Sequence, residues 1–203
     1  MPVPEKTKSI SMMCSNKQMM PGHVLRYKAY NLFKDIFAGQ IDFYGSGIKL
    51  VDDKADILLP YAFHICIENS QDAHYWTEKI ADPILGYSVP IYCGAPNITD
   101  YFPKDALVII DVKNPDVAID TIKRILADPV GEYQRRLPAL KEARNMLLDK
   151  YNMFPMLERF IDEWKPQLGD VCTFSVKSYT EMTTWKILNL IARIKRLIFK
   201  LTH

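Results

Sequence analysis

The sequence predicts an α/β fold in which a parallel β-sheet is flanked by helices. Short segments that are apolar at nearly every position alternate with longer segments of helical periodicity, and polar or glycine-containing turns separate them. A strand that is apolar throughout is buried on both faces, as the strands of parallel sheets are. Strands that alternate with helices are typical of a doubly wound, Rossmann-like arrangement.

The strands and helices follow one another in a regular order. Strand-like segments are predicted at 9–14, 41–44, 63–67, 89–93 and 107–111. Helices are predicted at 24–38, 117–126 and 131–164, and a further helix begins after Thr77. The first helix collects its apolar residues on one face: Leu25, Ala29, Leu32, Phe33 and Ile36. We expect that face to be buried.

Size and composition narrow the class of protein. A length of 203 residues suits one domain with a short appendage, and 48% hydrophobic with 25% charged residues is typical of a globular chain. The net charge of +2 is too small to indicate a nucleic-acid partner. No C-x-x-C pair or metal-ligand spacing occurs, so we expect reduced cysteines and structural histidines. These residues are Cys14, Cys66, Cys93, Cys172, His23, His64 and His74.

The two ends of the sequence bear on where the protein works. No signal-like apolar run follows Lys6 and Lys8, and no stretch is long enough to span a bilayer, so we expect a cytoplasmic protein of bacterial type. Residues 1–165 are predicted to form the globular domain and 166–182 a linker. Residues 183–203 are predicted to form a basic amphipathic helix. That helix suits the anionic inner face of the cytoplasmic membrane, or docking on the domain or a partner chain.

The middle of the chain places polar residues where a strand ends. The apolar run that ends at Ile67 is followed by Glu68-Asn69-Ser70 and then by the string Tyr-Trp-Thr-Glu-Lys at 75–79. The next apolar run, 89–93, closes on Gly94. In open α/β sheets, this order of strand, polar loop, charged helix start and strand builds a pocket for nucleotide phosphates.

Two cations are candidates for contact with a phosphate. Lys79 lies at the start of a predicted helix, where its ammonium adds to the N-terminal amides, and Thr77 is the expected N-cap. Arg26 lies some ten residues after Ser15-Asn16, and a guanidinium forks naturally onto phosphate oxygens. Taken singly, each cation more often belongs to an exposed helix face. Glu68 either faces a ligand or holds the loop by accepting backbone amides.

The sequence of these segments resembles that of the donor-binding domain of the family 10 glycosyltransferases, the α-1,3/4-fucosyltransferases. Their sequences read roughly F-E-N-S/T, Y-V-T-E-K, V-P-I/V and G in this order, and the similarity runs from about residue 8 to residue 111. The resemblance implies the single donor-binding half of a GT-B-type glycosyltransferase. It also implies GDP-fucose as donor, no further cofactor, no metal, and inverting transfer of fucose to a glycan hydroxyl.

The resemblance also assigns roles to individual residues. It places Arg26 and Lys79 on the pyrophosphate of the donor, where they would offset the charge that grows on the leaving group. It gives Asn69, Tyr75 and Glu78 to the donor nucleotide and the fucose.

Three features depart from the family pattern, and one of them is that the stretch between Gly47 and Tyr61 looks short for the family. Pro83 falls inside the helix that Thr77 should open, where a proline removes a backbone hydrogen bond at a cost of about 3 kcal/mol. An acceptor-binding domain with its general base is not recognisable, so the base remains unidentified. We expect a separate acceptor-domain polypeptide, a truncated gene product or a differently built acceptor site. The alternatives are a non-catalytic nucleotide-sugar-binding subunit or truncated paralogue, a glycosyltransferase that uses another sugar nucleotide, and a membrane-bound interaction module.

Overall fold

The computed structural model describes residues 2–164, and the chain divides into two compact units, Met1–Arg159 and Phe160–His203. The described strands are β1 (Lys8–Met13), β2 (Ile41–Tyr44), β3 (Tyr61–Ile67), β4 (Val89–Cys93) and β5 (Val108–Ile109). The described helices are α1 (Pro21–Ile36), α2 (Glu78–Leu85), α3 (Pro115–Ala127), α4 (Pro129–Asp149) and α5 (Met153–Trp164). A short 3-10 turn, Lys54–Ile57, joins β2 to β3.

The strands form one parallel sheet in the order β2-β1-β3-β4-β5. This arrangement confirms the predicted Rossmann-like fold. β2 lies on one side of β1 and the later strands lie on the other, so the direction of winding reverses between β1 and β3. Ligands of open α/β sheets bind outside the carboxyl ends of the strands at such a switch point.

The central strands are buried along their whole length. Every residue of β3 and β4 is buried, which agrees with their continuous apolar runs. The predicted strand at 107–111 is shorter in the structure, where β5 consists of Val108 and Ile109 and pairs with Ile91 and Tyr92 of β4. The pairing ends there with one further backbone bond, from Ile110 N to Tyr92 O at 2.9 Å.

Two helices pack on the same face of the sheet. The ring of Tyr30 from α1 meets Phe43 of β2 edge-on, with centroids 5.4 Å apart. Tyr133 from α4 meets Phe63 of β3 in the same way at 6.4 Å. The residues of β1 that pair with Phe43 and Phe63 are two positions apart, so both phenylalanines point to one side. Of the face predicted to be buried in the first helix, Ala29 and Phe33 are buried and Leu25 and Leu32 pack against the core partly buried, but Ile36 is 39% exposed.

The long helix predicted at 131–164 is wrong, because the structure has two helices there. The chain turns between α4 and α5 to bring Tyr151 against an aromatic cluster, with its ring 5.7 Å from Trp76 and 5.7 Å from Phe102. Asn152 then caps the start of α5, since its side-chain oxygen accepts from Phe154 N at 3.2 Å. The aromatic packing of one partly buried tyrosine and a new N-cap outweigh continuous helical periodicity.

The predicted linker at 166–182 and amphipathic helix at 183–203 lie outside the described residues. Both stay predictions from the sequence. Within residues 2–164, none of the helices combines the length and the hydropathy needed to cross a bilayer.

Candidate functional site

A cavity of about 300 Å³ opens at the carboxyl ends of β1 and β3. This volume is at the lower end of the range of about 300–1,000 Å³ that is usual for small-ligand sites. Three of the five site residues predicted from the sequence line it, namely Arg26, Glu78 and Lys79. The cavity therefore lies at the switch point of the sheet, with cations from two different helices in its wall.

Arg26 connects the ends of β1 and β3. Its Nη1 donates to Asn69 Oδ1 at 2.9 Å, after β3, and its Nη2 donates to Ser15 Oγ at 3.2 Å, after β1. The residue is 9% exposed, and its buried Nε has no hydrogen-bond partner among the described residues. The guanidinium is thus held in place while part of its donor capacity stays unused.

The position of Arg26 depends on close contact between α1 and the loop after β3. α1 begins at Pro21, three residues before the predicted start, because proline suits the first turn of a helix. Gly22 follows, and a Cβ atom there would lie 1.8 Å from the carbonyl oxygen of Asn69. Any side chain at this position would push the helix away from the loop and separate Arg26 from Asn69.

Glu68 holds the loop that leads into α2. Its carboxylate is buried and accepts from Thr77 N and Thr77 Oγ1, each at 2.9 Å. The same carboxylate lies 3.3 Å from Lys79 Nζ. Of the two roles considered for Glu68, the structure shows the one in which it accepts a backbone amide and fixes the loop.

Lys79 lies in the first turn of α2, as predicted. Thr77 is the N-cap and its Oγ1 accepts from Lys79 N at 3.3 Å. The ammonium is 3.1 Å from the same hydroxyl and 3.2 Å from Glu78 Oε1. Because Thr77 gives its hydroxyl proton to Glu68, it can accept from Lys79, and the chain of bonds fixes the ammonium at the cavity wall.

Glu78 faces the cavity beside this cation. Burial alone would raise the pKa of Glu78, but the hydrogen bond and charge of Lys79 outweigh it and lower the pKa below its ordinary value. The carboxylate is therefore ionised near neutral pH. It is 56% exposed, so it remains accessible as an acceptor for the hydroxyl groups of a ligand.

Pro83 lies inside α2, which was noted as a departure from the family pattern. α2 is only eight residues long, so the missing N–H falls near its end. The helix continues to Leu85, and Ser88 N donates to Pro83 O at 2.8 Å. The first turn with Thr77 and Lys79 keeps its capping contacts despite the proline.

The other two predicted site residues lie outside the cavity lining. Asn69 contributes through Arg26, whose guanidinium it binds. Tyr75 is 39% exposed. The preceding His74 has a positive φ of 66° and donates its backbone N–H to Asn97 Oδ1 at 2.8 Å, which fixes this part of the loop. The structure thus unites four of the five residues and leaves Tyr75 apart.

Several cavity residues have no signal in the sequence that marks them as functional. Ser15 was noted only as part of a Ser-Asn pair after the first strand. Lys54 and Asp82 are distant in sequence, yet Lys54 Nζ lies 2.7 Å from Asp82 Oδ2 at the cavity wall. Helical spacing places Asp82 three residues after Lys79 on the same side of α2, but nothing local indicates its partner.

His64 is the buried core histidine that the sequence suggested, and it also lines the cavity. Its Nδ1 lies 2.8 Å from Ser11 Oγ. Burial, with a smaller contribution from the charge of Lys54, lowers the pKa of His64 to about 3. The ring is therefore neutral at physiological pH. Among residues 2–164, no group of three or more His, Cys, Asp or Glu side chains is placed to hold a metal ion.

The fold places this chain in the class of doubly wound α/β domains whose ligands bind at the switch point of the sheet. Within that class, the chain belongs to glycosyltransferase family 10 (fucosyltransferase), because the model of the family's C-terminal domain matches residues 3–135. The family predicted from the central motif is thereby confirmed.

Individual relatives agree with this assignment. An α-(1,3)-fucosyltransferase FucT from Helicobacter pylori is 43% identical over 74 residues, which are 36% of this chain and 16% of that protein. α-(1,3)-Fucosyltransferase B from Drosophila melanogaster is 32% identical over 104 residues, which are 50% of this chain and 23% of that protein.

A crystal structure of an α1,3-fucosyltransferase with GDP-fucose matches with a TM-score of 0.54 and 32% identity. The match covers 65% of this chain and 38% of that one. This chain therefore spans well under half the length of these similar proteins.

Proposed function

We propose that this chain is the donor-binding part of a fucosyltransferase and binds GDP-fucose in the cavity between β1, β3 and α2. The observation that carries the proposal is the convergence of Arg26 and Lys79 on one cavity at the switch point, in a member of family 10. The similar α1,3-fucosyltransferase structure with GDP-fucose supports the choice of donor.

The two cations would serve the leaving group. As the glycosidic bond of a sugar nucleotide breaks, negative charge grows on the diphosphate, and fixed donors aimed at those oxygens stabilise the transition state. Arg26 is held by Ser15 and Asn69 with its Nε unused, and Lys79 is held by Glu68 and Thr77. Both would bind the diphosphate with little rearrangement, which limits the entropic cost.

The carboxylate of Glu78 would accept hydroxyl groups of the ribose or the fucose. It is ionised and exposed beside Lys79, so it can bind hydroxyls without first losing a proton. We also propose that Tyr75, from the loop outside the cavity lining, contacts the donor once it is bound. No metal or further cofactor is part of this proposal.

Transfer to an acceptor needs a base that removes the proton of the attacking hydroxyl. We propose that this base is supplied by an acceptor-binding domain or by a separate polypeptide, and that the product is inverted at the anomeric carbon. The acceptor would be the hydroxyl of a glycan such as a lipopolysaccharide or capsular chain. The competing proposal is a binding subunit that holds the nucleotide sugar without turnover.

Calorimetric titration of the purified chain with GDP-fucose and GDP tests the donor site. We expect Lys79→Ala and Arg26→Ala each to weaken binding by about tenfold or more, because each removes a charge-assisted hydrogen bond to the diphosphate. Lys123→Ala is the matched control, since Lys123 is an exposed cation of α3 whose Nζ makes a long contact of 3.9 Å with Asp120 Oδ1. Equal losses in all three variants, or no binding by the unchanged chain, would refute the donor site.

Turnover separates the enzyme from the binding subunit. A competent enzyme releases GDP from GDP-fucose when glycan acceptors are added, whereas a binding subunit releases GDP only after a partner polypeptide is supplied. The ratio of turnover with and without a candidate acceptor-domain polypeptide decides between them.

The proposed location is the inner face of the cytoplasmic membrane. The support comes from the sequence at 183–203, where basic residues accompany a broad apolar stripe. A chain that lacks 183–203 should move from the membrane fraction to the supernatant. An unchanged distribution would contradict membrane attachment through this segment.

A further inference from the structure

We propose that Lys54 and Asp82 form a reader for the Watson–Crick edge of guanine and so select the nucleotide of the donor. This inference rests on the proposed donor site, and it adds the residues that would distinguish guanine from other bases.

The two side chains reach the cavity from different elements. Lys54 begins the 3-10 turn between β2 and β3, and Asp82 lies in α2 one turn after Lys79. Their contact, from Lys54 Nζ to Asp82 Oδ2, is 2.7 Å long. The cavity that Arg26 and Lys79 line is thus continuous with this pair, so a ligand anchored by its diphosphate has its remaining part beside them.

The turn that carries Lys54 is fixed at both ends. Asp53 caps it by accepting from Ala55 N at 2.8 Å. At the other end, Ser11 Oγ donates to Ile57 O at 2.7 Å and ties the turn to β1. The backbone beneath Lys54 is therefore held while its side chain stays half exposed, which suits a side chain that exchanges water for a ligand.

The chemistry of the pair matches one base. A lysine donor beside the two acceptor oxygens of a carboxylate repeats the donor–acceptor–acceptor order of cytosine, which is the natural complement of guanine. Guanine offers O6 to the ammonium and its N1–H and N2–H₂ to the carboxylate. Adenine would direct its unprotonated N1 at the carboxylate, and uracil would place a carbonyl oxygen there, so both would be repelled.

His64 adds a neutral acceptor in the same cavity. The single hydroxyl proton of Ser11 goes to Ile57 O, so Ser11 accepts from His64 Nδ1–H, and Nε2 is the unprotonated nitrogen. The apolar side chains of Leu58 and Pro83 also line the cavity and offer apolar surface against which a purine ring can pack. A donor-rich, aromatic base fits this lining.

The experiment compares nucleotides that differ at one edge position. The unchanged chain, Asp82→Asn and Asp120→Asn are titrated with GDP and with xanthosine diphosphate, in which a carbonyl replaces the 2-amino group. We expect Asp82→Asn to weaken the binding of GDP by about tenfold and to strengthen the binding of xanthosine diphosphate, because the amide donates where the carboxylate accepted. Asp120→Asn, an exposed carboxylate paired with Lys123 in α3, should change neither.

A gain in binding of xanthosine diphosphate cannot come from a damaged fold, so it identifies a direct contact. If Asp82→Asn keeps the same preference for GDP over xanthosine diphosphate as the unchanged chain, the guanine reader is refuted while the donor site stands. If the unchanged chain binds neither GDP nor GDP-fucose, the donor site fails and the reader fails with it. Lys54→Met should lower affinity for GDP more than for a nucleotide whose base lacks the 6-oxygen; equal loss for both would contradict the role of Lys54.

Discussion

Two ion pairs in the wall of one cavity differ in how far they are removed from water. In the first, Lys79 is 22% exposed and Glu68 is fully buried; in the second, Lys54 is 50% exposed and Asp82 is 32% exposed. A buried pair keeps its geometry because separation of its charges would leave one of them without solvent. An exposed pair exchanges readily with water, and its measured contribution to stability is small.

The difference teaches how one cavity can combine a rigid cation with an adaptable one. The pair of Lys79 and Glu68 also includes the N-cap Thr77, so the ammonium stays in place with or without a ligand. Among residues 2–164, the pair of Lys54 and Asp82 joins two elements without a hydrogen bond from a third side chain. Fixed charge suits a diphosphate, which every nucleotide diphosphate presents. An adaptable pair suits the part of the ligand by which nucleotides differ.

The largest effect should come from breaking the buried pair. We expect Glu68→Ala to lower the free energy of unfolding by about 3 kcal/mol, because it removes the buried partner of Lys79 and the acceptor of both Thr77 N and Thr77 Oγ1. Glu78→Ala is the matched control, since Glu78 contacts the same ammonium at 3.2 Å but is 56% exposed. Its expected cost is about 0–1 kcal/mol. Urea unfolding measures both, and similar losses would show that burial does not separate the two carboxylates.

A second effect, of intermediate size, should appear on acidification. His64 lines the same cavity without charge, and burial lowers its pKa to about 3. The unfolded chain has an ordinary histidine with a pKa of about 6.5, so between these values the unfolded state binds more protons and stability falls as the pH falls. The loss amounts to about 1.4 kcal/mol per pH unit below 6.5, or about 2 kcal/mol at pH 5.

The measurement is the free energy of unfolding at pH 7, 6 and 5 for the unchanged chain and for His64→Gln. The variant should be less stable at pH 7 because it disturbs the bond to Ser11, but its stability should vary less with pH. His74→Gln, which alters an exposed ring, serves as control. A pH dependence that is identical in His64→Gln and the unchanged chain would contradict the burial of a neutral His64.

Features that depend on neighbouring residues could be predicted from the sequence, whereas contacts between distant residues could not. Strands 41–44 and 89–93 have the predicted bounds, and Thr77 caps the helix that carries Lys79, because these features depend on neighbouring residues. The contact of Lys54 with Asp82 joins residues 28 positions apart, and no local pattern indicates it. Likewise, the end of α4 is set by Tyr151, whose aromatic partners are far away in sequence.

The smallest effect should come from the exposed pair, and it is the sharpest test of the comparison. A double-mutant cycle of Lys54→Met and Asp82→Asn should give a coupling free energy for unfolding of about 0.2–1 kcal/mol, and that coupling should fall as salt is added. A coupling as large as the effect of Glu68→Ala would show that the two pairs are equally fixed, and the division between a rigid and an adaptable cation would be lost.

The same double-mutant cycle can be measured on the affinity for GDP, where we expect a larger coupling between Lys54 and Asp82 than in unfolding. If the exposed pair acts together on the base, removal of Lys54 should cost less once Asp82 is gone, so the coupling in binding should exceed the coupling in unfolding. The base would exclude water from a pair that is otherwise half exposed, and electrostatic interactions strengthen when water is excluded. Equal couplings in binding and in unfolding would mean that the pair never meets the ligand.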